Sequence, residues 1–170
     1  MDNSQAINYS IWSQFGASLE MLENAINMCP DEHRDTDLDF WYISYHCLFW
    51  TDYYLTTEPS KFEPPMPFTF SEFDPMGKKP DRTYNKKEVL GYLNHCRQKA
   101  MLLISGLTIE KLNSRWINEY KDFTLLEILL YNARHVQHHS AQLNLLLRQT
   151  INNAPKWVGQ AKEISKESKP

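Results

Sequence analysis

LLYNARHVQHHSAQLNLLLRQ, residues 129–149, packs three of the chain's six histidines into five positions of a leucine-rich run. Its spacing is that of an α-helix, and helical geometry separates the three histidines. His135 and His139 are four residues apart, so they project from one face, close enough to share a ligand. The row Ile128, His135, His139, Leu143 and Leu146 reads as facing a core, whereas His138 falls in a polar row with Glu127, Arg134, Gln142 and Gln149. This helix is predicted to start at Thr124, where Glu127 completes a capping box, and to run to Asn152 or Asn153, ahead of Pro155.

Three further segments repeat the pattern. Ile7, Ile11, Phe15, Leu19, Leu22 and Ile26 form one apolar stripe that should end near Met28, because Pro30 disfavours helical geometry in the residue before it. A second helix opens with Thr36 and Asp39 in capping-box spacing and continues through LDFWYISYHCLFWTDYYLT, apolar almost all the way round, as a mostly buried helix is. A third begins at Asn85 with Glu88 and carries Val89, Leu90, Leu93, Cys96, Ala100, Leu103 and Ile104 to a stop at Gly106. Between the second and third, residues 58–82 hold six of the nine prolines, interleaved with Phe62, Phe68, Phe70 and Phe73. That composition excludes a helix and reads as a long, ordered cover. No segment alternates with period two for long enough to claim a strand. The expected fold is all-α, a four-helix bundle with a long crossover between helices two and three, in one domain over residues 1–158 followed by a polar tail over residues 159–170.

With 42% hydrophobic residues in 170, the chain can enclose one substantial core. Its net charge of -3, with Lys and Arg scattered, gives no electrostatic reason to expect nucleic acid or an acidic membrane as partner. No apolar run approaches the roughly 18 to 20 residues that span a bilayer, and MDNSQAINYS lacks the features of a signal peptide, so a cytoplasmic protein is expected. Cys29, Cys47 and Cys96 form no CxxC and are odd in number, so they read as reduced, half-buried packing residues.

Two neutral imidazoles on an apolar face carry a cost of about 1 to 3 kcal/mol for each buried ring nitrogen left unpaired. A metal ion removes that cost, and so would hydrogen bonds within the core; spacing alone leaves both open. A third ligand would come from another helix, and His46 in the middle of the second is the candidate. Three imidazoles with an open position make a catalytic rather than a structural zinc-type site. Val136 follows His135, so there is no HExxH metalloprotease base, and no Glu-x-x-His occurs, which argues against a carboxylate di-iron bundle. His33 and His95 read as solvated, and Cys47, about 100° round the helix from His46, as packing.

The pairing of SYHCLFWTDYYL with RHVQHHSAQLNLLLRQ resembles the DinB-like superfamily, bacterial four-helix bundles with one histidine in the second helix and H-x-x-x-H in the last. The resemblance extends over TYNKKEVLGYL, TLLEILLYNARH and the closing APKWV; Ser140 and Ala141 stand where relatives often have Arg and Gly. It implies that His46, His135 and His139 hold a divalent metal, with His138 a recurrent non-ligand, in a frequently homodimeric protein. Zinc or nickel is the expected ion, and iron also suits imidazole donors. Characterised relatives include S-transferases and isomerases that use low-molecular-weight thiols.

The expected function is therefore a metal-dependent enzyme acting on a small molecule, a thiol transferase if the ion activates a thiol and a hydrolase if it activates water. A non-catalytic metal-binding stress-response or interaction module is the alternative, since no Asp or Glu shares the inward row of the last helix. Tyr53, seven residues from His46 and on its face, leads the pocket and supporting candidates, followed by Asn132, Gln142, Trp12 and Tyr9.

Overall fold

The apolar stripes become α1 (Asn3–Met28), a short α2 (Asp31–Arg34), α3 (Phe40–Tyr54), α4 (Lys86–Ser105), a short α5 (Ile109–Asn113) and α6 (Leu125–Ile151). The structure, a computed structural model, describes residues 3–34 and 39–161. Thr36 and the side chain of His33 lie outside the described residues. α1 and α3 each pack against both α4 and α6, so the four long helices form a ring with α1 and α3 at opposite corners. Phe15, Leu19, Leu22, Leu48, Phe49, Leu93, Cys96, Ile128 and Leu143 meet inside it, all essentially buried. Each such large side chain contributes about 1.5 to 3 kcal/mol relative to exposure.

Two helices start where their caps direct. Asn85 and Glu88, and again Thr124 and Glu127, exchange both bonds of a capping box. α3 starts differently: Asp39 is its N-cap in left-handed backbone geometry, with no side-chain cap bond, and its carboxylate instead meets Lys79 of the crossover. All three cysteines are fully buried rather than half-buried.

The crossover is an ordered cover. Phe62 packs edge-on against Phe49 and Tyr53, Phe68 stacks on Tyr92 at 4.3 Å, and the Tyr45 hydroxyl donates to the Thr69 carbonyl at 2.9 Å. Its second helical turn, Phe70–Phe73, lies along α3 and delivers Glu72 to it.

A two-stranded antiparallel hairpin, β1 (Arg115–Ile117) and β2 (Asp122–Thr124), precedes α6, although no strand was expected there. Strands of three residues are too short for a period-two pattern to register. Asn118 organises the turn: its Oδ1 accepts from the backbone N–H of Tyr120 and Lys121, and its amide donates to the Tyr53 hydroxyl on α3 at 3.1 Å. At the other end the chain returns against α1, where the Ala161 N–H donates to the Ser13 carbonyl at 2.8 Å and Gln14 donates to the Gly159 carbonyl. Residues 162–170 of the expected tail lie outside the described residues. Among the described residues no helix is long and apolar enough to cross a membrane.

Candidate metal centre

α3 and α6 bring His46, His135 and His139 together, with one donor nitrogen from each ring within 4.8 Å of the other two. The ring centroids are 4.9 Å apart for His46 and His139, 4.5 Å for His135 and His139, and 5.9 Å for His46 and His135. The buried centre of α6 is the row Ile128, Leu129, Asn132, Val136, Ser140, Leu143 and Leu147. His135 and His139 lie on its shoulder, half-buried, as does Leu146. That displacement from the core row matters, because a site on the α3–α6 seam can be reached from outside. His138 is exposed.

The ring nitrogens are assigned by their partners. His46 Nδ1 donates to Glu72 Oε2 at 2.5 Å, and His139 Nδ1 donates to the Gln142 side-chain oxygen at 2.6 Å. Both rings are thereby fixed with Nε2 as the free lone-pair donor. His135 Nε2 is buried and has no hydrogen-bond partner. A buried polar atom left unpaired costs about 1 to 3 kcal/mol, so an orphan nitrogen on a ring clustered with two other imidazoles is the observation that fits a metal here. A ligating histidine normally gives its other N–H to a carboxylate or carbonyl oxygen, the roles that Glu72 and Gln142 play.

The electrostatics favour the ligand form of the rings. Burial, followed by the neighbouring His139 and His46, lowers the His135 pKa to about 3, with Lys121 adding to the effect. Burial lowers His139 to about 4 against the opposing bond to Gln142. Both imidazoles are therefore neutral at neutral pH, and neutral imidazole is what binds metal. Burial alone would raise the Glu72 pKa, but its hydrogen bond with His46, joined by bonds from Tyr42 and Trp50, holds it below the usual carboxylate value.

Glu72 was missed at the sequence level. Its side chain is only 4% exposed, and it also accepts from Trp50 Nε1 at 3.0 Å. Nothing in an aperiodic, proline-rich segment says which of its side chains turns inward, so no local signal could have found it.

Beside the triad opens a cleft of about 460 Å³. Glu72 and Trp50 form its wall nearest His46, Tyr53, Tyr54 and Phe73 supply aromatic surface, and the hairpin turn with Lys121 closes the far side. Tyr54 joins the cleft to the triad, with its ring edge-on to His135 at 5.9 Å.

The model of the DinB superfamily matches residues 39–143, more than half of the chain. The chain belongs to the DinB superfamily. No curated protein and no solved structure matches it. The span matched to the DinB superfamily runs from the N-cap of α3 to Leu143 on α6, so it contains all three clustered histidines and Glu72.

Within this DinB-superfamily chain the other sequence candidates have separate placements. Tyr53 lines the cleft, and Gln142 bonds His139 from the edge of the triad. Asn132 is fully buried between α6 and α3, where its amide donates to the Thr51 carbonyl at 2.9 Å and its Oδ1 has no partner. Trp12 is buried on α1, and Tyr9 is exposed on the same helix beside Gln160, so both belong to the element diagonal to α3. Tyr42, Trp50 and Tyr54, absent from the sequence candidates, are aromatic rings beside the triad, the first two against His46 and the third against His135. His95 is not simply solvated: its Nε2 lies 3.4 Å from the buried Asp52 carboxylate, on the α3–α4 seam.

Proposed function

We propose that the protein is a divalent-metal-dependent enzyme acting on a small molecule, with His46, His135 and His139 as ligands and a low-molecular-weight thiol as the reacting partner. The observation that carries this reading is the buried, unpartnered His135 Nε2 on a ring clustered with two others whose Nδ1 atoms are already committed. Three imidazoles leave an open coordination position, at which a bound zinc, nickel or iron ion supplies Lewis acidity and lowers the pKa of a thiol or water. Glu72 holds the proton on His46 Nδ1 and fixes that ring; Gln142 does the same for His139. Trp50, Tyr53, Tyr54 and Phe73 offer an apolar wall for the substrate body, and the crossover shields the His46 side of the seam from water. A thiol reactant makes the enzyme a transferase; water would make it a hydrolase.

Metal analysis of protein purified without a histidine tag tests the first half of this reading, with the His46→Ala/His135→Ala/His139→Ala variant as control. Absence of bound metal together with absence of affinity for zinc or nickel refutes it. A panel of electrophiles with glutathione-type donors tests the second half, and activity there should vanish in His46→Ala. A second reading, in which the ion only stabilises the fold, is favoured by one observation: the carboxylate that meets the triad, Glu72, is already engaged by His46 and Trp50. A large chelator-dependent fall in Tm with no turnover would favour it. We carry a cytoplasmic homodimer, with no nucleic-acid or membrane partner, as part of the leading reading, and sedimentation velocity checks the dimer.

A further inference from the structure

Lys79, Arg82, Arg97, Lys99 and Arg115 each rest against a carboxylate. Lys121 and Arg134 do not: among the described residues no carboxylate lies within ion-pair distance of either. Instead both cations lie over the ring of Tyr131, Lys121 Nζ at 5.3 Å from its centroid and Arg134 Cζ at 5.9 Å. Lys121 also lies 5.6 Å over Tyr54. Stacking on aromatic faces holds the charges without neutralising them, since the ring offers its quadrupole and leaves the N–H donors free.

The position of these cations is fixed from both sides. Lys121 follows the Asn118 turn, whose side chain is bonded to the Lys121 N–H at 2.7 Å and to Tyr53 of the cleft at 3.1 Å. Arg134 is one residue before His135 on α6, and with Tyr131, His135 and His138 it lines a shallow groove. Tyr54 and Tyr131 are in edge contact at 5.2 Å, so the groove and the aromatic cleft meet under Lys121, next to His135. The carboxylates of the adjoining cleft, Glu72, Asp74 and Glu119, stand on its walls with Lys121, while Arg134 lines the groove on the other side of Tyr131, so the two cations lie together only where groove and cleft meet.

We propose that Lys121 and Arg134, stacked about Tyr131, form an anchor for an oxyanionic group of the substrate, a carboxylate or a phosphate, beside the histidine triad. The assignment of this anchor to a substrate rests on the enzymatic reading of the triad, whereas the anchor itself is built by residues that hold no metal. Guanidinium and ammonium groups together bind oxyanions through charge-assisted hydrogen bonds, and the aromatic walls of the adjoining cleft accept the apolar body that carries the anion. The anchor accordingly suits a small amphiphilic acid whose oxyanion sits at Lys121 and Arg134, clear of the cleft carboxylates Glu72, Asp74 and Glu119.

The test uses three small phenyl probes, benzoate, its neutral isostere benzamide, and phenyl phosphate, titrated by NMR into metal-free and zinc-loaded full-length protein. Metal-free protein removes direct coordination of the anion as an explanation. There at least one oxyanion should bind about tenfold more tightly than benzamide, the effect of roughly one charge-assisted contact. The Lys121→Met/Arg134→Gln variant, which keeps apolar and polar stems over Tyr131, should bind all three alike while taking up as much zinc as the wild type. A benzoate preference assigns a carboxylate substrate and a phenyl phosphate preference a phosphate one; either supports the anchor. Equal binding of the three probes to metal-free wild type, or a preference that survives in the variant, overturns it. Failure of the wild type to bind zinc removes the enzymatic reading separately, because the metal-free arm is scored without it.

Discussion

Replacing Glu72 with Gln changes one property of the site, the charge behind His46. The amide oxygen can still accept from His46 Nδ1 and from Trp50 Nε1, now 2.5 and 3.0 Å from Oε2, and the side chain keeps its volume in a position only 4% exposed. A hydrogen bond to a charged group contributes about 1.5 to 3 kcal/mol and a neutral one about 0.5 to 1.5, so the exchange removes roughly 1 to 1.5 kcal/mol from a ring that ligation makes more positive. Since about 1.4 kcal/mol is a factor of ten, zinc affinity should fall about tenfold, at the lower end of the roughly 10- to 100-fold range for such supporting partners. Metal-free stability should barely move, because the weaker bond is offset by relief of a buried charge whose second oxygen, Oε1, has no partner. Competition against a chromophoric chelator reads the affinity, and a thermal melt in chelator reads the fold. An unchanged zinc affinity in a normally folded Glu72→Gln protein would make Glu72 only a packing residue under the crossover, with no part in holding the metal ligand.

Other perturbations address the frame around the site. Asp52, fully buried, accepts from Lys99 Nζ at 2.6 Å and from the Tyr92 hydroxyl at 3.2 Å, so Asp52→Asn should cost about 3 kcal/mol in urea unfolding at neutral pH. Burial alone would raise the Asp52 pKa, but His95 and Lys99 outweigh it and hold it below the usual value. Its stabilisation is therefore complete at neutral pH and lost as pH falls below about 4, a slope that the Asp52→Asn variant should lack; identical acid limbs in the two proteins would contradict this. Thr124→Ala removes the bond from Glu127 N–H to Thr124 Oγ1, 3.1 Å long, and should lower stability by about 1 kcal/mol, or Tm by roughly 2 to 4 °C. The Cys96 thiol is raised well above its ordinary pKa by burial, reinforced by the Asp52 charge, so iodoacetamide should leave it unmodified until the protein unfolds, as read by mass spectrometry.

The histidine pair was legible because a helix fixes the relation of residues four apart wherever it lies. His46 was legible as a candidate because a histidine in the middle of a nearly all-apolar helix has few other partners. The depth of the pair was not. Counting along the row put His135 and His139 in the core, whereas α6 is rotated so that Val136 and Ser140 take the centre and the histidines its shoulder. Rotation of an amphipathic helix is set by the packing of all its neighbours, and a stripe this broad allows more than one setting.

The four long helices, most of their ends, the crossover and the two helices that bear the triad can all be read from the chain. Each of these follows from local rules, period and capping, that act within a few residues of the chain. It took the folded chain to place Glu72 behind His46, 26 positions away, to tie the hairpin through Asn118 to Tyr53, 65 positions away, and to set Lys121 and Arg134 over one tyrosine. Those contacts come from loops, whose paths have no period to read and are chosen by what the assembled helices leave exposed for them to cover.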